Sequence, residues 1–264
     1  MTARAYRAAP GPPTARLTIE YRGTAFAGWA AQRGQRTVQA ELERALATVL
    51  RRSAVALTVA GRTDAGVHAW AQVASYAGEP AAVGALNALL PDDVSVIACE
   101  PTAPGFSARH DATSRAYCYR LLTRPSRSAH EPEAALHWPG PIDRGQLDAC
   151  ASALVGTHDF TAFTPTETDH VRFSRQVFAA HWRTAGPAHL EFWIEADAFL
   201  RHMNRVLVGT MLQVARGRRS RDAFIALLAG RARCEAGPTA PPRGLYLARV
   251  GYGGERILRP LPVS

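Results

Sequence analysis

The stretch AGRTDAGVHA, Ala60 to Ala69, sets one carboxylate, Asp64, in a turn bracketed by Gly61 and Gly66, with Arg62 two residues before it and His68 four after. Glycine admits backbone angles that other residues resist. A single acid on a tight turn beside a fixed cation is one way to display an ionised carboxylate for chemistry. It is also one way to close an ordinary turn, because Asp readily bonds its own backbone. On spacing alone the turn-closing reading is favoured. Two further residues have chemical potential. Tyr117 lies on the strand-like run RAYCYRLLT, at an exposed-looking strand start just after FSARHDATSR. Arg205 lies on RHMNRVLVGTMLQVARG, outside the helical stripe of Met203, Val206, Leu207 and Met211. In isolation each has a plainer reading: a half-buried strand aromatic and a solvated helix cation.

Other chemistries lack their residues. The nine His form no HExxH and no His/Cys pair at ligand spacing, so no metal site is expected. A zinc base deaminase needs a PCxxC partner that this chain lacks. An aspartic-protease reading of TDAG needs a hydroxyl residue where Ala65 stands, and a second copy. No glycine-rich dinucleotide fingerprint follows a strand. No cofactor is expected.

The 31 basic residues are all Arg, since the 264-residue chain contains no Lys. Schiff-base chemistry and the phosphate-loop GK[ST] motif are thereby excluded. The formal net charge is +9 and the pI about 10.1, a balance that fits a nucleic-acid partner. Arg forks bind phosphate bidentately and stack on bases. The four cysteines, Cys99, Cys118, Cys150 and Cys234, form no CxxC pair and point to a reducing, cytoplasmic setting, with Cys150 on the apolar side of a helix. No apolar run reaches eighteen residues, so no membrane span is expected. The opening MTARAYRAAPGPP has no apolar segment of a secretory signal and reads as a short disordered basic tail, residues 1–13.

Periodicity gives strands at Arg16–Tyr21, Val55–Ala60, Trp70–Tyr76 and Val94–Cys99. Helices are expected over TVQAELERALATVL, with Val38, Leu42, Ala45 and Val49 on one stripe, and around Val83–Leu90. Asp64 therefore falls in a loop between two strands, where scaffold-borne catalytic residues tend to lie. The order strand, helix, strand, strand, helix, strand is the split ferredoxin-like pattern. After a boundary near Asp111 come a strand at Arg115–Thr123, a Pro-rich surface excursion at 124–142, and a helix over DRGQLDACASALVG with a capping box of Asp143 and Gln146. THDFTAFTPTETDH reads as polar loop. Paired strands QVFAAHWR and HLEFWIEA, two helices and a last strand LYLARVGY complete the half. The expected fold class is α+β, with two ferredoxin-like subdomains, residues 14–111 and 112–264, whose mostly antiparallel sheets join side by side.

AGRTDAGVHA followed by a strand resembles the signature of the TruA-type tRNA pseudouridine synthases. The likeness continues in order through AGWAAQ with TVQAELERAL, FSARHDATSRAYCYR, HDFTAF, ADAFLRHMNRVLVG and APPRGLYL, from about Leu17 to Tyr252. Ala30, Asp197 and Asn204 depart from the residues usual in the family. The resemblance implies isomerisation of uridine to pseudouridine in the anticodon arm of tRNA, at positions thirty-eight to forty. It implies an active-site cleft between the subdomains and a homodimer in which one tRNA contacts both subunits. It makes Asp64 the catalytic carboxylate, acting as nucleophile or as base. Substrate-binding roles then fall to Tyr117, stacked on the target uracil; Arg62, filling the gap left by the extruded base; and Arg205, paired with Asp64.

Overall fold

The computed structural model describes residues 13–168 and 171–258. Residues 1–12, all but the last of the expected basic tail, lie outside the described residues, as do Asp169 and His170 at the end of the expected polar loop. The first half runs β1 (Thr14–Tyr21), α1 (Val38–Val49), β2 (Thr58–Val59), β3 (His68–Ala77), α2 (Val83–Asn87) and β4 (Val94–Thr102). The second runs β5 (Ala112–Leu122), β6 (Leu136–His137), α3 (Arg144–Ala153), β7 (Gly156–Asp159), β8 (Ser174–Thr184), β9 (His189–Ala196), α4 (Met203–Ala215), α5 (Arg221–Ala226) and β10 (Leu245–Tyr252). The class is α+β.

One sheet threads the molecule in the order β4-β1-β3-β10-β5-β9-β8-β7. Its described pairings are antiparallel except β3 with β10 and β5 with β6. Each half follows one plan. The first has the order β4-β1-β3-β2, and the second β10-β5-β9-β8 with β7 added outside, so fourth, first, third and second strands lie side by side in both. The halves meet through a short parallel contact, Tyr246 opposite His68 and Leu247 opposite Ala69.

That contact shapes the functional loop. β3 offers one edge to β1 along its length. Its other edge is shared: β2 pairs at Ala74 and Ser75, β10 at His68 and Ala69. The chain leaving β2 must therefore lift off the sheet before β3 begins. The strand expected at Val55–Ala60 is only Thr58–Val59. The segment between them, residues 60–67, stands over the junction of the halves.

Local signals account for most elements. The alternating Ala15, Leu17, Ile19 and Tyr21 of β1 are buried. The Thr37 hydroxyl caps α1 by accepting from the Ala40 N–H at 3.4 Å, and Val38, Leu42, Ala45 and Leu46 form its buried stripe. Asp143 caps α3 by accepting from the Gln146 N–H at 3.0 Å, and Cys150 is fully buried. Two further expectations fail. HDFTAF is not polar loop: Gly156–Asp159 pairs with β8, and Phe160, Ala162 and Phe163 are fully buried, Phe163 packing edge-on against Phe224. The apolar residues there are too few and too scattered among Thr and Asp to show a period. Nor is α4 a two-faced helix, because Val208 and Leu212 are as buried as Val206 and Met211. Its second apolar side is covered by the segment leading to β10. Gly237 N–H bonds to the Thr210 hydroxyl and Ala240 N–H to the Arg205 carbonyl, both at 3.0 Å. Gly209 is required, since a Cβ there would collide with the Pro238 carbonyl. No helix among the described residues is long and apolar enough to cross a membrane.

Candidate active site

The loop carrying Asp64 is held from all sides by backbone and buried side chains. Ala60 N–H still bonds to the Val73 carbonyl at 2.9 Å. Arg115 donates to the Ala60 carbonyl from Nε at 3.2 Å and Nη2 at 2.9 Å. Gln72, fully buried, donates to the Gly61 carbonyl at 2.7 Å. The Thr63 hydroxyl shares a 2.7 Å hydrogen bond with the Tyr21 phenol, and the Thr63 carbonyl accepts from the Trp29 N–H at 3.0 Å. Val67 N–H then closes a four-residue turn on the Asp64 carbonyl at 3.1 Å. The turn needs a positive φ at its third position, which Gly66 supplies at 78°. The backbone therefore closes the turn, and the Asp64 side chain makes no bond to its own loop. The turn-capping acid favoured by spacing is not what forms.

The carboxylate points instead to the second half, 141 residues on. Asp64 Oδ2 lies 3.3 Å from Arg205 Nη1 and 3.6 Å from His202 Nε2. Oδ1 has no partner among the described residues. The Arg205 side chain is 14% exposed against 25% for Asp64, and its Nε donates to the Ala240 carbonyl at 2.7 Å. Arg205 is thus a half-buried strut between the strap before β10 and the carboxylate, not a solvated helix cation. Asp64 thus meets the tips of two side chains carried at the start of α4. His202 precedes that helix with a left-handed backbone, φ 63°, and no side-chain cap bond. A non-glycine residue in that region is strained, and the surrounding contacts must hold it there.

Tyr117 is buried in the middle of β5, which begins at Ala112, so it is not at an exposed strand start. Its register neighbours are Leu247 and Ile194, and its ring meets Phe199 edge-on at 4.9 Å. Its hydroxyl would lie 3.7 Å from a Cβ placed on Gly61, so the ring reaches under the Asp64 loop. Burial first, then the charges of Tyr21 and Asp64, push the phenol well above its usual pKa. Asp64, Tyr117 and Arg205 therefore converge at the junction of the halves. Arg62 does not join them: it is exposed and makes no hydrogen bond or ion pair among the described residues. His68 is buried structure. Its Nδ1 accepts from the Gly23 N–H at 3.1 Å, its Nε2 donates to the Arg243 carbonyl at 3.2 Å, and its ring stacks on Tyr246. Burial pushes its pKa down, so the neutral form persists.

Sequence reasoning missed Arg115, Gln72 and His202. Arg115 donates to the carbonyls of Ala60, Arg109, Ala112 and Asp197, tying the catalytic loop to β5 and the end of β9. One signal was available: at two residues before Tyr117 it shares that strand face. For His202 there was none beyond a helix start that lacks Ser, Thr, Asp or Asn.

Residues 150–253 match the family model described as tRNA pseudouridine synthase. Curated relatives extend the match over most of the chain. A tRNA pseudouridine synthase A of Bacillus pumilus is 37% identical over 244 residues, covering 90% of this chain and 98% of that one. The enzymes of that name from Methylococcus capsulatus and Thermus thermophilus are each 42% identical, covering 90% and 91% of this chain and 89% and 97% of theirs. Identity at this level over nine-tenths of the chain shows that it belongs to the tRNA pseudouridine synthase A family.

Proposed function

We propose that this protein isomerises uridine to pseudouridine in the anticodon stem-loop of tRNA, at positions thirty-eight to forty. The observation that carries the reading is the Asp64 carboxylate, raised on a backbone-closed turn with Oδ2 held by Arg205 and Oδ1 without a partner among the described residues. The N-glycosidic bond to N1 breaks, the uracil turns in the pocket, and C5 rejoins the sugar. A proton leaves C5 and one arrives at N1, so the reaction is balanced without a redox partner or group donor. Asp64 acts on the sugar or the base as nucleophile, or removes a sugar proton. The test is to incubate the protein with unmodified tRNA transcript and map pseudouridine. Product in the anticodon arm that disappears in Asp64→Asn supports the reading; none from the wild type refutes it.

The target base must leave the stack, which costs a few kcal/mol. Arg-to-phosphate contacts over a chain of net charge +9 offset that cost. Arg62, exposed on the same loop as Asp64 and with no hydrogen bond or ion pair among the described residues, is suited to occupy the vacated position. Arg62→Ala should therefore lower turnover on stem uridines more than on the same uridine in an unpaired loop, read by comparing two transcripts. Equal activity of the variant and wild type on both would remove the role. Tyr117 stacks on the uracil and keeps it from escaping while it turns. Its phenol makes no hydrogen bond among the described residues, so Tyr117→Phe should keep turnover within about threefold. Tyr117→Ala should lower it by about 10²-fold, the scale of one lost base–aromatic stack of ~1–3 kcal/mol. A Phe variant as poor as the Ala variant would show that the hydroxyl, not the ring, matters.

The two halves, residues 14–111 and 112–264, act as subdomains flanking the site. The enzyme works as a cytoplasmic homodimer, which sizing in solution would test.

A further inference from the structure

The isomerisation moves a proton from C5 to N1, so a group beside the uracil must be able both to accept and to donate one. Among the described residues around Asp64 the choice is narrow. Arg62 and Arg205 carry guanidinium groups, which donate hydrogen bonds but offer no acceptor. The Tyr117 phenol is pushed well above its usual pKa by burial and is no base at neutral pH. Asp64 is committed to the sugar or the base, and its Oδ2 is already held by Arg205. One titratable group remains. The His202 imidazole is 26% exposed and brings Nε2 to 3.6 Å from Asp64 Oδ2. That distance is too long for a hydrogen bond, so the nitrogen is not tied up. Its backbone is held at φ 63°, a left-handed conformation that a non-glycine residue adopts only at a cost. Cap chemistry does not explain this cost, since the side chain makes no cap bond.

Resting on the reading above, we propose that His202 is the proton carrier of the isomerisation: it takes the proton from C5 once the C5–C1′ bond has formed, and returns a proton to N1. The electron pair of the C5–H bond restores the C5=C6 double bond, and N1, which left the sugar as the anion, becomes N1–H. The imidazole ends as it began. Its charge state suits the task. Burial pushes its pKa below the usual value; Asp64 pulls it up, while Arg205 and Arg201 from the same segment and Arg233 from the turn after α5 push it down. The base form is therefore present at neutral pH, and turnover that depends on it declines as pH falls through a pKa below about 6.5.

Glycine tolerates the backbone angle at this position and leaves a gap the size of imidazole, so His202→Gly is the informative variant. Transcripts carrying uridine or [5-²H]uridine at the target are compared under single-turnover conditions, with and without added imidazole. Turnover of His202→Gly should fall by about 10²-fold. A deuterium effect absent or small in the wild type should appear, and imidazole should restore turnover in proportion to its free-base concentration. His202→Asn, which also accepts the left-handed backbone, should show the same loss and deuterium effect without rescue. Turnover of His202→Gly near wild type overturns the proposal. So does a loss that imidazole does not relieve and that is the same for both isotopes, which marks a purely structural role. Those failures leave the parent reading intact as long as the wild type forms pseudouridine and Asp64→Asn does not.

Discussion

Asp64→Asn should fold, bind tRNA with wild-type affinity and form no detectable pseudouridine. The amide has nearly the shape of the carboxylate, and the turn is closed by the Asp64 carbonyl and Val67 N–H, which the substitution leaves alone. Arg205 keeps its bond to the Ala240 carbonyl. The lost ion pair is a quarter exposed on the Asp64 side, so its removal should cost about 1 kcal/mol of stability or less. Chemistry is another matter. An amide is neither a nucleophile toward the sugar nor a base, and removing a group with either role lowers turnover by roughly 10⁴-fold or more. Filter binding to unmodified transcript, thermal melting and pseudouridine mapping separate the three quantities. Measurable turnover by a well-folded Asn variant would end the assignment. Loss of tRNA binding together with activity would move Asp64 from chemistry to recognition.

The parts of this site that could be read in advance are those encoded locally. The two strand-like runs flanking AGRTDAGVHA put Asp64 in a loop, and the period-two run Tyr117, Tyr119, Leu121 put Tyr117 on a strand. Arg205 stood out because it lies outside the apolar stripe of its helix, although the reason was different from a solvated face. It is the one charged side chain on a helix otherwise wrapped by the core and by the strap at 236–241, and it is turned inward to Asp64. The elements that bring these residues together are not local. β10 inserts between β3 and β5, pairing residues nearly 180 positions apart, such as Tyr246 with His68. No window of the sequence contains that pairing, yet it lifts the Asp64 loop off the sheet and joins the halves. The same holds for Arg115, whose four acceptor carbonyls come from three separate segments, and for the left-handed backbone at His202, which tertiary contacts impose on an unremarkable helix start.

Arg205→Met should reduce turnover by about 10²–10³-fold with little change in tRNA affinity. Two bonds go with the guanidinium. Without Nε, the Ala240 carbonyl is left in a nearly buried site with no donor, which costs about 1–3 kcal/mol of stability. Without Nη1, Asp64 loses its nearest fixed charge, and its carboxylate is free to turn, so the oxygen that faces the substrate is no longer selected. Loss of one preorganised electrostatic partner in an active site is worth about 2.7–4 kcal/mol of barrier, which sets the predicted range. Arg205→Lys distinguishes charge from geometry. An ammonium can approach Asp64 but cannot also span to the Ala240 carbonyl as the fork does, so Lys should restore part of the rate and little of the melting temperature. Single-turnover rates, tRNA binding and melting of the two variants give the test. If Arg205→Met keeps the wild-type rate, the pairing is structural and does not orient Asp64 for chemistry. If instead tRNA affinity falls by as much as the rate, Arg205 contacts the nucleic acid rather than holding the carboxylate.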